Sequence, residues 1–237
     1  MIEQIEKPVK LIKVPETSNI PTISTLCKEI GVLPGGAVLV GMATDELPVL
    51  FNISNTNTPN IVVWDGLVGQ GLKLIKTMIE FILGYKRGFK TEFIIMSNNS
   101  NEWRGLSEHG LGVWDKDACI AIVPFWDSVS DQVLFALSGW ISGIRRGTKS
   151  PIILFIDGLE NIDKMSKESR GYFEQILLFG REKNIFVVAT AKSGSREKLA
   201  RWFEYFTSEI YGQDSLYWFE MNKRNEHIVF FAPITEI

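Results

Sequence analysis

The sequence predicts an α/β fold built on a mostly parallel sheet with helices on both faces, and three observations carry that prediction. Several apolar runs, among them Ile61-Val62-Val63-Trp64 and Ile185–Thr190, are nearly continuous instead of alternating, as strands buried on both faces must be. Between them lie stretches whose apolar residues recur every three or four positions, the pattern of a helix laid against a sheet. A glycine-rich segment, Gly66 to Gly71, joins the first of these strands directly to its helix.

Residues 1–30 are the least periodic part, broken by Pro8, Pro15 and Pro21, and read as a packed arm or a contact segment for a partner. Residues 31–237 read as one domain. Its first elements are AVLVGMA and PVLFNI, two apolar runs around the polar turn Thr44-Asp45-Glu46, which predict a β-hairpin. The strand Ile61–Trp64 follows a loop of Asn, Thr and Pro. Leu72, Ile75, Ile79, Ile82 and Leu83 then share one helical face. Phe93–Met96 and Cys119–Val123 are the next strands. A helix from about Asp127 presents Val133, Leu137, Trp140, Ile141 and Ile144. Pro151–Asp157 is a strand ending in an acid, and a helix carrying Phe173, Ile176 and Leu177 leads to the strand Ile185–Thr190. A helix around Leu199, Trp202, Phe203 and Phe206 precedes a last hairpin, Leu216–Met221 with Ile228–Phe231.

Composition narrows the function. A 45% hydrophobic and 22% charged chain of net charge -3 is that of a folded protein and not of a strongly basic nucleic-acid coat. No apolar run reaches the roughly 20 residues that cross a bilayer, and the N-terminus lacks a signal-peptide core, so the expectation is a cytoplasmic chain without direct membrane insertion. The two cysteines, Cys27 and Cys119, and the two histidines, His109 and His227, support neither a disulfide framework nor a four-ligand zinc site.

The chemistry concentrates at the glycine segment. A phosphate loop needs glycines so that successive backbone N–H groups turn toward anionic oxygens at a helix N-terminus. In G-x-x-x-x-G-K-[ST] the lysine reaches the phosphates and the hydroxyl holds magnesium. Gly66, Gly69, Gln70 and Gly71 have the required placement, but Leu72 stands at the lysine position and Lys73 at the hydroxyl position. One step along a helix turns a side chain by about 100°, so Lys73 does not simply replace the lysine. The same glycines also suit a plain tight turn with Lys73 as a solvated helix residue. The strand ending in Asp157 has the form of a Walker-B strand, whose aspartate supports magnesium through water. Gly158 occupies the position where hydrolytic enzymes of this kind carry a glutamate, and Glu160 lies two positions further on. In isolation Asp157 equally suits a turn cap.

Taken in order over roughly positions 31 to 213, these segments resemble the motor domain of the FtsK/SpoIIIE-type P-loop ATPases of the HerA/FtsK superfamily, and within it the EccC-like ATPase modules of type VII secretion. IVVWDGLVGQG looks like the family's Walker A, PIILFIDGLENI like its Walker B, and NIFVVATAKSGSREKL like the strand that senses the γ-phosphate, with Thr190 kept. The resemblance implies a RecA-like three-layer sandwich with an N-terminal and a C-terminal hairpin. It implies ATP and Mg as cofactors, with Asp157 as the magnesium-side residue, and assembly as a homo-oligomer or with related ATPase subunits on a DNA or protein substrate. Arg145 and Arg146, at the end of a long helix, would be the arginines offered to a neighbour's site. The departures are Leu72 and Lys73 in Walker A, Gly158 in Walker B, and Ala191-Lys192 where the DNA pumps carry glutamine and arginine. Each missing electrostatic or base contribution costs orders of magnitude in rate.

Three readings therefore stand. The first is a degenerate ATPase-like domain acting as a structural or regulatory subunit with weak or no hydrolysis. The second is a translocase motor with an unconventional Walker A, in which Lys73, Lys76 or Lys192 meets the γ-phosphate. The third is a nucleic-acid-binding module using Arg181, Lys183, Lys192, Arg196, Lys198 and Arg201 beside Trp202, Phe203, Tyr205 and Phe206.

Overall fold

A computed structural model of the chain describes residues 20–55, 57–85, 91–103, 118–125, 127–143, 150–223 and 226–235. Most of the predicted arm (residues 1–19), His109, Ile144, Arg145 and Arg146 lie outside them. Among the described residues ten strands make one sheet: β1 (Ala37–Ala43), β2 (Pro48–Asn52), β3 (Ile61–Asp65), β4 (Thr91–Met96), β5 (Ala118–Val123), β6 (Ile152–Ile156), β7 (Ile185–Lys192), β8 (Ser208–Gly212), β9 (Trp218–Lys223) and β10 (Glu226–Phe231). Their order is β2-β1-β10-β9-β8-β3-β7-β6-β4-β5. The half from β8 to β5 is parallel; the two predicted hairpins join it as an antiparallel extension, with β1 paired to β10 and β9 to β8.

The parallel strands are buried on both faces, which is why their sequences do not alternate. Along β7, Phe186 and Val188 enter one core layer while Ile185, Val187, Ala189 and Ala191 enter the other. The first layer is closed by α1 (Ile23–Ile30) and α2 (Gln70–Tyr85), the second by α3 (Ser128–Ile141), α4 (Lys167–Phe179) and α5 (Ala200–Phe203). The result is a three-layer sandwich of the RecA-like P-loop kind. On α2 the predicted face holds, with Ile75, Ile79 and Ile82 buried and Leu72 and Leu83 packed at its margin.

The structure adds two elements and shortens one. α1 forms within residues 1–30 because Thr22 caps it, accepting the Thr25 N–H at 3.4 Å, and Gly31 ends it at φ 76°. Ile23 and Leu26 then bury against the first core layer. β8, SEIYG, shows only partial alternation and was absent from the sequence prediction; it pairs in parallel with β3 and antiparallel with β9, and so joins the two halves of the sheet. The helix expected around Leu199–Phe206 contracts to the single turn of α5, although Leu199, Trp202 and Phe206 still point into the core.

Candidate functional site

The carboxyl ends of β3, β6 and β7 meet the N-terminus of α2 around a cleft of about 660 Å³. Parallel α/β sheets place ligand sites at this end. The cleft brings together Gly69, Lys73, Asp157, Glu160, Thr190 and Lys192, which the sequence nominates from three separate segments. Lys76 also lines it, as do Asn98, Asn99 and Glu102 from the segment after β4.

The Walker-B-like end is well ordered by hydrogen bonds. Asp157 accepts the Ser97 hydroxyl at 2.6 Å and that of Thr190 at 3.3 Å. Thr190 in turn accepts the Gly158 N–H at 2.9 Å, which ties the ends of β6 and β7 together. Gly158 has φ 86°, a left-handed conformation that side chains other than glycine rarely take, and a Cβ there would stand 2.8 Å from Asn161 Nδ2. Glu160 is held at the cleft wall, 3.7 Å from the largely exposed Lys192.

The glycine loop is organised differently from the sequence expectation. Gln70, nominated for cofactor binding, is fully buried with its side chain turned away from the cleft: it accepts the Leu67 N–H at 2.6 Å and donates to the carbonyls of Gln213 at 2.7 Å and Ser215 at 2.6 Å. Gly66 is needed for close packing, because a Cβ there would strike the Gly212 carbonyl at the end of β8. Leu72, at the lysine position, lines the cleft and packs its other side on the core beneath α2. Lys73 reaches Tyr217, with Nζ 3.4 Å from the hydroxyl and 4.8 Å from the ring centroid.

Asp65, the last residue of β3, is a site residue that motif reading missed. Its carboxylate accepts the Gly71 N–H at 2.6 Å, and the nearby Gly69 N–H also favours its charged form. Burial lifts its pKa from the ordinary 3.8 to about 6; the two loop amides oppose that rise and the carboxylates of Asp157 and Glu160 add to it. A folded pKa above the unfolded one means that ionisation costs stability. The folded chain holds the proton through the window from about 4 to 6, so stability falls as pH rises through it and the cost is complete above about 6. Asp65→Asn, which keeps an acceptor for the amides, should therefore stabilise the domain by about 1–2 kcal/mol at pH 8 after allowance for solvent screening, and by little at pH 4.5. Thermal unfolding of both proteins at the two pH values checks this; a variant less stable than the parent at pH 8 would contradict it.

These residues do not fit a magnesium–triphosphate complex held in the usual way. Asp157 with Ser97 and Thr190 suits the water shell of a cation, but the Gly71 amide already bonds a carboxylate, no lysine stands at position 72, and position 158 holds a left-handed glycine instead of a glutamate. Among the described residues no group of three or more His, Cys, Asp or Glu is arranged to hold a metal ion.

The basic and aromatic patch does not assemble as one surface. Arg181 is buried, donating to the carbonyls of Ile53 and Asn55, and Trp202 and Phe206 are core. Arg196 pairs with Glu209 at 3.2 Å, Lys198 with Asp163 at 3.4 Å and Arg201 with Glu174 at 2.9 Å.

No family model matches the sequence, and no curated protein matches it. Solved structures do. The chain superposes on EccC of Thermomonospora curvata (ATPases 2 and 3, in complex with a signal sequence peptide) with a TM-score of 0.66 at 12% identity, covering 92% of this chain and 44% of that one. EssC of Geobacillus thermodenitrificans (ATPases 2 and 3) gives 0.66 at 12% identity, with 92% and 45% covered. VirB4 of Thermoanaerobacter pseudethanolicus gives 0.52 at 9% identity, with 87% and 98% covered. The similarity is therefore one of fold, to the ATPase domains of EccC and EssC among others, and this chain spans less than half the length of the EccC and EssC chains. Among the described residues no helix is long and apolar enough to cross a membrane.

Proposed function

We propose that this domain is a degenerate ATPase-like subunit, structural or regulatory in role, with weak or no ATP hydrolysis. The observation that carries the reading is Leu72: the position from which a P-loop lysine reaches the phosphates holds an apolar side chain packed on the core, while the neighbouring Lys73 is engaged by Tyr217. The glycine at 158 removes the usual base as well, and loss of a positioned base and of a phosphate-binding charge each costs orders of magnitude in rate. Assembly with related ATPase subunits fits the neighbours, whose names record ATPases 2 and 3 within one chain. Arg145 and Arg146 are the residues this chain would offer to an adjoining site.

The expected result with millimolar Mg-ATP is no phosphate release above buffer and no saturable binding below roughly 1 mM, which corresponds to about -4 kcal/mol or weaker. Saturable, tighter ATP binding that disappears in Lys73→Ala would instead favour a second reading, a motor on DNA or polypeptide with an unconventional loop. That alternative draws on one observation: Lys73, Lys76 and Lys192 line the same cleft as Asp157.

A further inference from the structure

The carboxylate of Asp65 lines the cleft and lies against the glycine loop. In a phosphate loop, glycine N–H groups converge on an anion supplied by the ligand. Here one of those groups, the Gly71 N–H, is bonded at 2.6 Å to an anion supplied by the chain itself, and the Gly69 N–H also favours that charge. The contact is built into the local geometry. Gly69, at φ 84°, turns the loop through a left-handed residue. Gly71 is squeezed between β3 and β7, so that a Cβ would fall 2.6 Å from Thr190 Cγ2 and 2.9 Å from Asp65 Oδ1. Only glycine lets the carboxylate and the loop approach so closely.

We propose that Asp65 is an internal substitute for phosphate, a specificity-determining residue that closes the glycine loop to polyphosphates. This inference rests on the reading of the domain as a nucleotide-site shell, and it supplies a cause for weak anion binding beyond the missing lysine. Asp65 acts in two ways. It satisfies the Gly71 amide, so a phosphate gains no new hydrogen bond from that group, and its negative charge repels a second anion at contact distance. The other charged groups of the cleft do not touch these amides: Asp157 is bonded by Ser97 and Thr190, Glu160 faces Lys192, Lys73 faces Tyr217, and Lys76 and Glu102 lie on the walls.

The test is calorimetric titration of inorganic pyrophosphate into the full chain at pH 8 and low salt, with Asp65→Ala, Asp65→Asn and Glu160→Gln beside the parent. Asp65→Ala, which frees the amides and removes the charge, should bind at least about tenfold more tightly than the parent. Asp65→Asn, which removes the charge alone, should gain less, and Glu160→Gln less again. Unchanged affinity in both Asp65 variants would overturn the proposal. So would an equal gain from Glu160→Gln, because the effect would then be one of general cleft charge. If the alanine variant does not fold, the asparagine variant decides the matter against Glu160→Gln. ATP hydrolysis by the parent would refute the degenerate-subunit reading without bearing on this comparison, and a flat pyrophosphate series would refute this inference while leaving that reading intact.

Discussion

Trp64→Ala is expected to destabilise the domain by about 3–5 kcal/mol, the range for deleting a large buried aromatic side chain. Trp64 is buried at the end of β3, immediately before Asp65. Its ring meets that of Phe203 edge-on at 4.8 Å, and its indole N–H donates to Glu209 on β8 at 2.9 Å. Alanine would empty the space between β3 and α5 and leave the Glu209 carboxylate without that donor. Chemical denaturation should show a lower midpoint with an unchanged slope. Trp64→Phe separates the two contributions: most of the packing stays, the hydrogen bond goes, and the expected loss is about 1–2 kcal/mol. An alanine variant within about 1 kcal/mol of the parent would show that Trp64 does not anchor this end of the sheet.

Gln70→Ala is expected to cost about 2–4 kcal/mol, because a fully buried amide makes three hydrogen bonds whose partners would all lose it. Gln70→Glu should be at least as damaging, since a carboxylate cannot donate to the carbonyls of Gln213 and Ser215. The distinguishing readout is local: amide exchange at Leu67 and in the segment 213–215 should accelerate together in the alanine variant. If only one of the two segments responds, Gln70 is not the tie between them.

The sheet was legible because its parallel strands are buried on both faces and therefore carry unbroken apolar runs. The two hairpins were legible from their polar turns. β8 was not, because Ser208 and Glu209 interrupt its pattern and its place is fixed by pairing with β3, more than a hundred residues earlier in the chain. α1 was hidden by prolines that look like breakers yet stop just before its cap. The cleft itself followed from motif order, which located Gly69, Lys73, Asp157, Glu160, Thr190 and Lys192 at one end of the sheet. Two roles in and beside it were not visible. Gln70 sits inside the glycine motif, but the two carbonyls it donates to lie 143 and 145 residues away. Asp65 reads as a strand terminus, and a pattern search that begins at Gly66 passes over it. An acid directly before a glycine loop, facing backbone amides that need an anion, is the signal that would have found it.

Gly158 sets a limit on engineering this domain into an enzyme. A glutamate grafted there would have to occupy a left-handed backbone at φ 86° and ψ 71°, at a strain of about 1–3 kcal/mol, with its Cβ pressed 2.8 Å from Asn161 Nδ2. The Gly158 N–H is meanwhile held by Thr190, so the backbone cannot flip to relieve that strain without releasing the bond that joins β6 to β7. Reactivation is thus a problem of loop redesign over 158–161 before it is a problem of side-chain replacement.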